Sequence, residues 1–445
     1  MRRTINLKKG LNLSLAGGLS SSDIKTETRP SAVAVIPDDF HGFQPKPEVA
    51  EGDSVAAGQP LLHDKADNDI KIVSPAAGKV RCIVRGHRRK IERIVIDTDS
   101  QQSDPVTHSA SGDPDSIRRL LKVSGLWVMM RQRPYDIIPA PDSMPRDIFV
   151  TAMDTAPLAP DMEKELAGKE LELRAGVKAL KTLTKGSIYI GVRSGSLLPE
   201  IEGAEIIEFN PLHPAGNPGI QAANISPVNK GEIIWTLDAV TLAKIGGLMI
   251  NGTVDFTTHV ALTGSELIDP KMVSTIEGAD LADLLEGNIA DDGRNHRIIS
   301  GNVLTGTPES MEGFLRYPYR QVTVIPEGDD ADEFMGWASV SPSKMSVSPS
   351  FLGRFFGKKF TPDARLMGGR RAMIMSEVYD KYLPMDVMPE YLIKAILAKD
   401  IDRMEALGIY EVAPEDFALA EYADPSKIEL QRIVRDGLDY LRSEV

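Results

Sequence analysis

Between residues 33 and 100, short apolar runs alternate with Gly-Asp and Ala-Gly turns. Val49, Val55, Leu61 and Leu62 are spaced as short strands of a small barrel or sandwich, separated by Glu51-Gly52-Asp53 and Ala57-Gly58. Glycine supplies the positive φ that tight hairpin turns demand. The stretch Ser74-Pro75-Ala76-Ala77-Gly78-Lys79-Val80 continues the pattern, and Ile91, Ile94, Val95 and Ile96 form its last strand. A polar linker at 101–111 follows, and then the period changes. Asp113 caps a helix opened by Pro114, with Ile117, Leu120 and Leu121 on one face and Gly125 as its stop. Strands predicted at 148–153, 187–192 and 205–209 alternate with helices at 161–183 and 237–245, the pattern of an open α/β sheet.

From residue 255 the pattern shifts again. Val254, Phe256, Val260 and Leu262 mark a half-buried strand, and 271–276 pairs with it. A short helix capped by Asp280 and further strands at 297–301 and 321–325 complete a small mixed sheet crossed by one helix, a β-grasp-like (SLBB-like) arrangement. An acidic break at 326–331 leads into an irregular stretch, 336–369, rich in Ser, Pro, Phe and Gly. Helices follow at 389–398 and 427–441, the last with an apolar stripe of Leu430, Ile433, Val434, Leu438 and Leu441. The fold class expected is thus multidomain α/β and α+β. An N-terminal segment (1–32) packs on the α/β domain, followed by a barrel-sandwich (33–100), a Rossmann-like α/β domain (101–254), the β-grasp domain (255–329) and an irregular segment with C-terminal helices (330–445). The barrel's turns resemble biotinyl/lipoyl carrier domains. Lys65, in Asp64-Lys65-Ala66, lacks the flanking methionines of a carrier lysine and reads as an ordinary surface residue.

Composition narrows the function. A chain of 445 residues is too long for one core. No apolar run of about 18 residues is present, so no membrane span is expected, and the basic start Met1-Arg2-Arg3 has no apolar stretch behind it to read as a secretory signal. The net charge of −13 argues against broad nucleic-acid binding and against loose adhesion to anionic lipid. Membrane association is then expected to run through a protein partner. Cys82 is the only cysteine, which excludes internal disulfides and cysteine-held Fe–S clusters, and a buried inert thiol is expected in its strand. No histidine pair has metal-ligand spacing, so no metal site is expected.

Two segments carry candidate chemistry. Pro211-Leu212-His213-Pro214-Ala215-Gly216-Asn217-Pro218-Gly219 follows a strand, where open α/β sheets bind ligands. His213 there is a hydrogen-bond donor or proton relay and Gly216 allows close approach; the plainer and preferred reading is a stiff loop docking another domain. Leu126-Trp127-Val128-Met129-Met130-Arg131-Gln132-Arg133-Pro134-Tyr135 mixes aromatic, thioether and guanidinium groups suited to a flat ligand with an anionic oxygen. Its plainer and preferred reading packs Trp127 and Met130 into a core and leaves the arginines exposed. Asp154, at a strand end, is a carboxylate of either catalytic or loop-capping use. Neither G-x-G-x-x-G nor a P-loop is present.

Several motifs together carry a family resemblance: Lys8-Lys9-Gly10-Leu11 with Leu15-Ala16-Gly17, Ser124-Gly125-Leu126-Trp127, and Pro139-Ala140-Pro141-Asp142-Ser143 leading to Phe149-Val150-Thr151-Ala152-Met153-Asp154-Thr155. His213-Pro214-Ala215-Gly216, Ile299-Ser300-Gly301 and Leu304-Thr305-Gly306 add to them. The chain resembles the NqrA family of the Na+-translocating NADH:quinone oxidoreductase over nearly its full length. The resemblance implies a peripheral protein on the cytoplasmic face of a bacterial inner membrane. It would dock on the membrane-embedded NqrB protein, at the quinone-reducing end of a complex that passes electrons from NADH to quinone and exports Na+. It implies no Fe–S cluster and no covalent flavin on this chain, with quinone as the ligand in question. Quinone contacts would fall to Trp127, Met130, Arg131, Arg133, Tyr135, His213 and Gly216, where apolar walls meet donors. The fold is also similar to flavin-binding subunits of complex I, but the glycine-rich flavin loop is missing, and the tail from Leu407 to Lys427 lacks the cluster cysteines of relatives. The rival reading is an assembly module with no ligand; a flavin- or NADH-binding dehydrogenase is the weaker third.

Overall fold

The computed structural model describes residues 2–99, 104–109, 111–329, 336–342, 344–348, 350–356 and 359–444. Residues 101–103 and 110 of the expected linker, and 330–331 of the acidic break, lie outside them. The alternating strands between 33 and 100 form two small antiparallel sheets. Ala32–Val35, Ile91–Thr98, Gly78–Arg85 and Ser54–Val55 make one, and Pro45–Pro47, Pro60–Asp64 and Lys71–Val73 the other. Val33, Val55, Leu61, Leu62, Ile72, Val80 and Ile94 fill the space they enclose. Cys82 lies in Gly78–Arg85 and is half-buried, not buried as expected. The strand bulges between Val80 and Cys82, which breaks the strict in/out alternation at that residue.

The central sheet has the order Arg3–Ile5, Glu205–Phe209, Ile188–Arg193, Ile148–Thr151, Ile234–Asp238, Arg131–Arg133. All neighbours are parallel except the last pair. Ile148 and Val150 face one core while Phe149 faces another, the period-two signature of a sheet covered on both sides. On the first face lie helices Glu170–Lys181 and Ala239–Asn251. They meet nearly backbone to backbone, because a Cβ on Gly246 would stand 1.7 Å from the Glu172 carbonyl oxygen. Leu237, expected to open a helix, ends a strand instead: Asp238 caps the helix that follows by accepting from the Thr241 N–H. The β-branched and aromatic run Ile233-Ile234-Trp235-Thr236 favours the strand and overrides the helical spacing.

The third sheet is mixed, ordered Thr307–Glu309, His296–Ser300, Gln321–Pro326, Thr257–Thr263, Lys271–Ile276, Ile24–Glu27, with the short helix Leu281–Leu285 over it. The C-terminal helices Pro389–Ala398, Ile401–Ala406, Ala418–Ala423 and Leu430–Glu444 pack through Leu392, Ile396, Val434, Leu438 and Leu441 onto Ile207, Phe209 and Ile220 of the central domain. The first residues of the chain serve two sheets. Arg3–Ile5 extends the central sheet and Ile24–Glu27 extends the third. Between them Gly17, at φ +81°, lies so close to Gly264 that a Cβ would reach the Gly264 carbonyl carbon at 2.1 Å. The motif Leu15-Ala16-Gly17 therefore has a packing reason.

Candidate functional site

In the central sheet the strand order reverses between Ile148–Thr151 and Ile234–Asp238. Ligands of open α/β sheets bind outside the carboxyl ends of the strands at such a reversal. Here that position is already filled. Arg320, arriving from the third domain just before Gln321–Pro326, places Nη2 3.0 Å from Asp238 Oδ1 and Nε 3.5 Å from Glu165 Oε1. Gln321 donates to the Pro157 carbonyl at 3.1 Å beside it. Burial alone would raise the pKa of Asp238, but Arg320 and the Thr241 N–H hold it below the usual carboxylate range. Burial pushes Glu165 up despite Arg320. Asp154 caps its own loop, accepting from the Ala156 N–H at 2.8 Å, and burial raises its pKa.

The turn at this crevice lacks the glycines of a dinucleotide fingerprint. No glycine stands between Thr151 and Ala167, so the backbone cannot close around a diphosphate. The turn instead carries Asp154, Asp161, Glu163 and Glu165, whose charges repel phosphate.

The seven residues singled out from sequence fall in four places. Trp127 and Met130 are fully buried in the main core. The Trp127 indole N–H donates to the Pro139 carbonyl at 2.9 Å, and the ring stands edge-on to Trp235. Arg131 is half-buried and reaches across to the Asp39 carbonyl of the N-terminal barrel. Arg133, expected to be exposed, is 1% exposed. Its guanidinium donates to Asp416 at 2.9 Å, to Glu415 at 3.1 Å and to the Glu411 carbonyl at 3.1 Å. The reason is pairing across the fold: Asp416 is wholly buried and needs a cation, and the two lie 283 positions apart in sequence. Tyr135 is half-buried against the C-terminal helices, with its carbonyl accepting from Arg435.

His213 and Gly216 come together on Thr155. The Gly216 N–H donates to Thr155 Oγ1 at 2.9 Å, and His213 Nδ1 hydrogen-bonds the same hydroxyl at 3.1 Å. The His213 carbonyl and N–H are taken by Leu11 and Asn12 of the N-terminal segment. This loop is a docking surface for other parts of the chain: Asn217 also donates to the Glu415 carbonyl, and Gly219 lies under the Arg133 guanidinium. Burial lowers the His213 pKa from 6.5 to about 4. The unfolded chain takes up a proton below its ordinary pKa that the folded loop refuses until about 4. Stability is therefore complete above the unfolded value and falls with decreasing pH through that window, by roughly 3 kcal/mol. Urea midpoints measured across the window check this, and His213→Gln should flatten the slope.

Sequence spacing missed three groups. Arg320 with Asp238 and Glu165, and Arg133 with Glu415 and Asp416, are assembled by folding alone. So is the trio Glu266, Asp292 and His296, whose ligand-type atoms lie within 4.8 Å of one another. Arg294 bonds to both carboxylates of that trio, at 2.7 Å from Asp292 and 3.3 Å from Glu266, and offsets one of their two charges.

Family models match three successive stretches of the chain: the NqrA N-terminal barrel-sandwich hybrid domain over residues 5–99, the NqrA second alpha/beta domain over 113–254, and the NQRA C-terminal domain over 259–309. The NqrA protein of the Na(+)-translocating NADH-quinone reductase of Saccharophagus degradans is 35% identical over 449 residues, covering 99% of this chain and 100% of that one. Its counterpart in Klebsiella pneumoniae is 34% identical and that in Yersinia pseudotuberculosis 33%, each with 99% and 100% coverage. Among solved structures, an NAD+-reducing nickel–iron hydrogenase in the air-oxidized state aligns over 76% of this chain and 62% of its own length, at 14% identity and a TM-score of 0.37, too weak a likeness to bear on function. Matched along its whole length at this identity, the chain belongs to the NqrA family of Na+-translocating NADH-quinone reductase subunits.

Proposed function

We propose that this protein works at the quinone-reducing end of its complex and contributes shape rather than an electron-storing centre. It docks on the membrane-embedded NqrB protein at the cytoplasmic face of a bacterial inner membrane, while the complex passes electrons from NADH to quinone and exports Na+. On this reading the carrier-like barrel, the Rossmann-like sheet and the β-grasp sheet are retained scaffolds without their cofactors. The observation that carries it is the crevice at the strand reversal, where Arg320 takes the place a dinucleotide would need and the turn offers carboxylates instead of glycines. The single cysteine supports it too, since a cluster needs several thiolates. Among the described residues no helix is long and apolar enough to cross a membrane, which accords with a peripheral place.

A quinone contact on this chain falls to Arg131 and Tyr135, the two of the seven candidates with exposed surface. Burial of Trp127, Met130, Arg133, His213 and Gly216 favours the second reading, an assembly module with no ligand of its own. Equilibrium titration of the purified full chain with ubiquinone separates the two. Saturable binding that weakens in Arg131→Ala supports a quinone-end role, and no binding leaves the assembly role. In the same preparation, visible absorption from a stoichiometric flavin would overturn the cofactor-free reading.

A further inference from the structure

The overall charge of −13 conceals one basic stretch. Residues 336–375 hold seven Lys and Arg against the single carboxylate Asp363. The same forty residues carry eight of the eighteen large apolar side chains that are exposed among the described residues. Val340 is 84% exposed, Phe355 69%, Phe356 56% and Trp337 53%. Parts of this stretch lie side by side. The Ser350 hydroxyl donates to the Trp337 carbonyl at 2.7 Å, and the Leu352 N–H to the Ser339 carbonyl at 3.0 Å. Gly368 packs beside Trp337 and the Arg371 guanidinium. Lys359 and Arg371 of the same stretch are exposed. The stretch is anchored to the body of the protein by mutual backbone bonds of Phe360 with Ser14 and Ala16, and by the Arg371 N–H to the Ser426 carbonyl.

Isolated exposed apolar residues need no explanation, but several exposed aromatics gathered in one basic stretch do. An aqueous surface gains nothing from it, and a purely apolar protein partner would leave the cations uncompensated. The interface of an anionic bilayer satisfies both halves: Trp and Phe enter the headgroup boundary while Lys and Arg meet lipid phosphates. We propose that Trp337, Val340, Phe355 and Phe356, with Lys359 and Arg371, form an interfacial anchor that seats this protein on anionic phospholipid. Screening confines each charge's influence to roughly 8–10 Å, so a local basic stretch meets anionic lipid on its own terms even in a chain of net charge −13.

The protein supplies its own probe. Trp127 and Trp235 are fully buried, so of the three tryptophans only Trp337 reports a change of solvent. The full chain is titrated with vesicles of phosphatidylcholine alone, then of phosphatidylcholine mixed with phosphatidylglycerol. The expected result is a blue-shifted emission on the anionic vesicles only, reversed by salt. Phe355→Ser with Phe356→Ser should remove the shift, and Lys359→Glu with Arg371→Glu should weaken partitioning by about tenfold or more. All four side chains are exposed, and an unchanged Trp127 and Trp235 emission verifies the fold. No shift on anionic vesicles overturns the proposal. So does a shift seen only on vesicles carrying NqrB, which assigns the stretch to a protein partner. The inference rests on the protein's peripheral membrane place, yet the two fail separately: co-purification with NqrB tests docking and does not depend on the lipid.

Discussion

Arg320→Ala should lower stability by about 3–5 kcal/mol, because it leaves two buried carboxylates without their cation. Asp238 and Glu165 are both paired by this one guanidinium, which is itself largely buried. A pH comparison distinguishes this cause from lost packing. With Arg320 removed, only the Thr241 bonds still oppose burial, and the balance at Asp238 moves toward its neutral form. The deficit should therefore be largest near pH 7 and shrink toward about pH 4, as protons substitute for the missing charge. Urea unfolding of both proteins at the two pH values measures it. A deficit that is the same at both would show that the guanidinium acts as a space-filling group. Arg320→Lys should recover only part of the loss, since a point charge cannot bridge two carboxylates as a planar fork does.

Arg133→Ala should cost about as much, again about 3–5 kcal/mol, for a different architectural reason. Its fork joins the edge strand Arg131–Arg133 to the turn Pro414–Phe417, and so fixes the C-terminal helices to the central sheet. Asp416 keeps bonds from the Ala413 N–H and the Asn217 amide, but its charge is left in the interior. The expected readout is twofold: a lower urea midpoint, and faster proteolysis beyond residue 380 under native conditions. A change of less than about 1 kcal/mol would mean that Asp416 finds another partner or takes up a proton.

Much of the architecture was legible in sequence. The cap Asp113-Pro114, the cap Asp280, and the helix Pro389–Ala398 are local features, where residue type and spacing act within one turn. The sheet pairings between Thr257–Thr263 and Lys271–Ile276, and between His296–Ser300 and Gln321–Pro326, follow from period-two runs. The plainer readings of Trp127, Met130 and the His213 loop hold: core packing for the first two, domain docking for the third. What could not be read is pairing at a distance. Arg133 and Arg131 look like exposed cations in sequence, since nothing near them says that Asp416 or the Asp39 carbonyl will arrive. Arg320 gives no local sign of reaching Asp238, 82 positions earlier.

The two short strands contributed by the first 27 residues have a consequence for how the protein is made. Both pair in parallel with partners at Glu205–Phe209 and Lys271–Ile276, so each strand leaves the ribosome long before the segment it binds. At typical elongation of about 5–20 residues per second, it waits on the order of ten seconds or more, a window in which bare strand edges are open to chaperones and to neighbouring nascent chains.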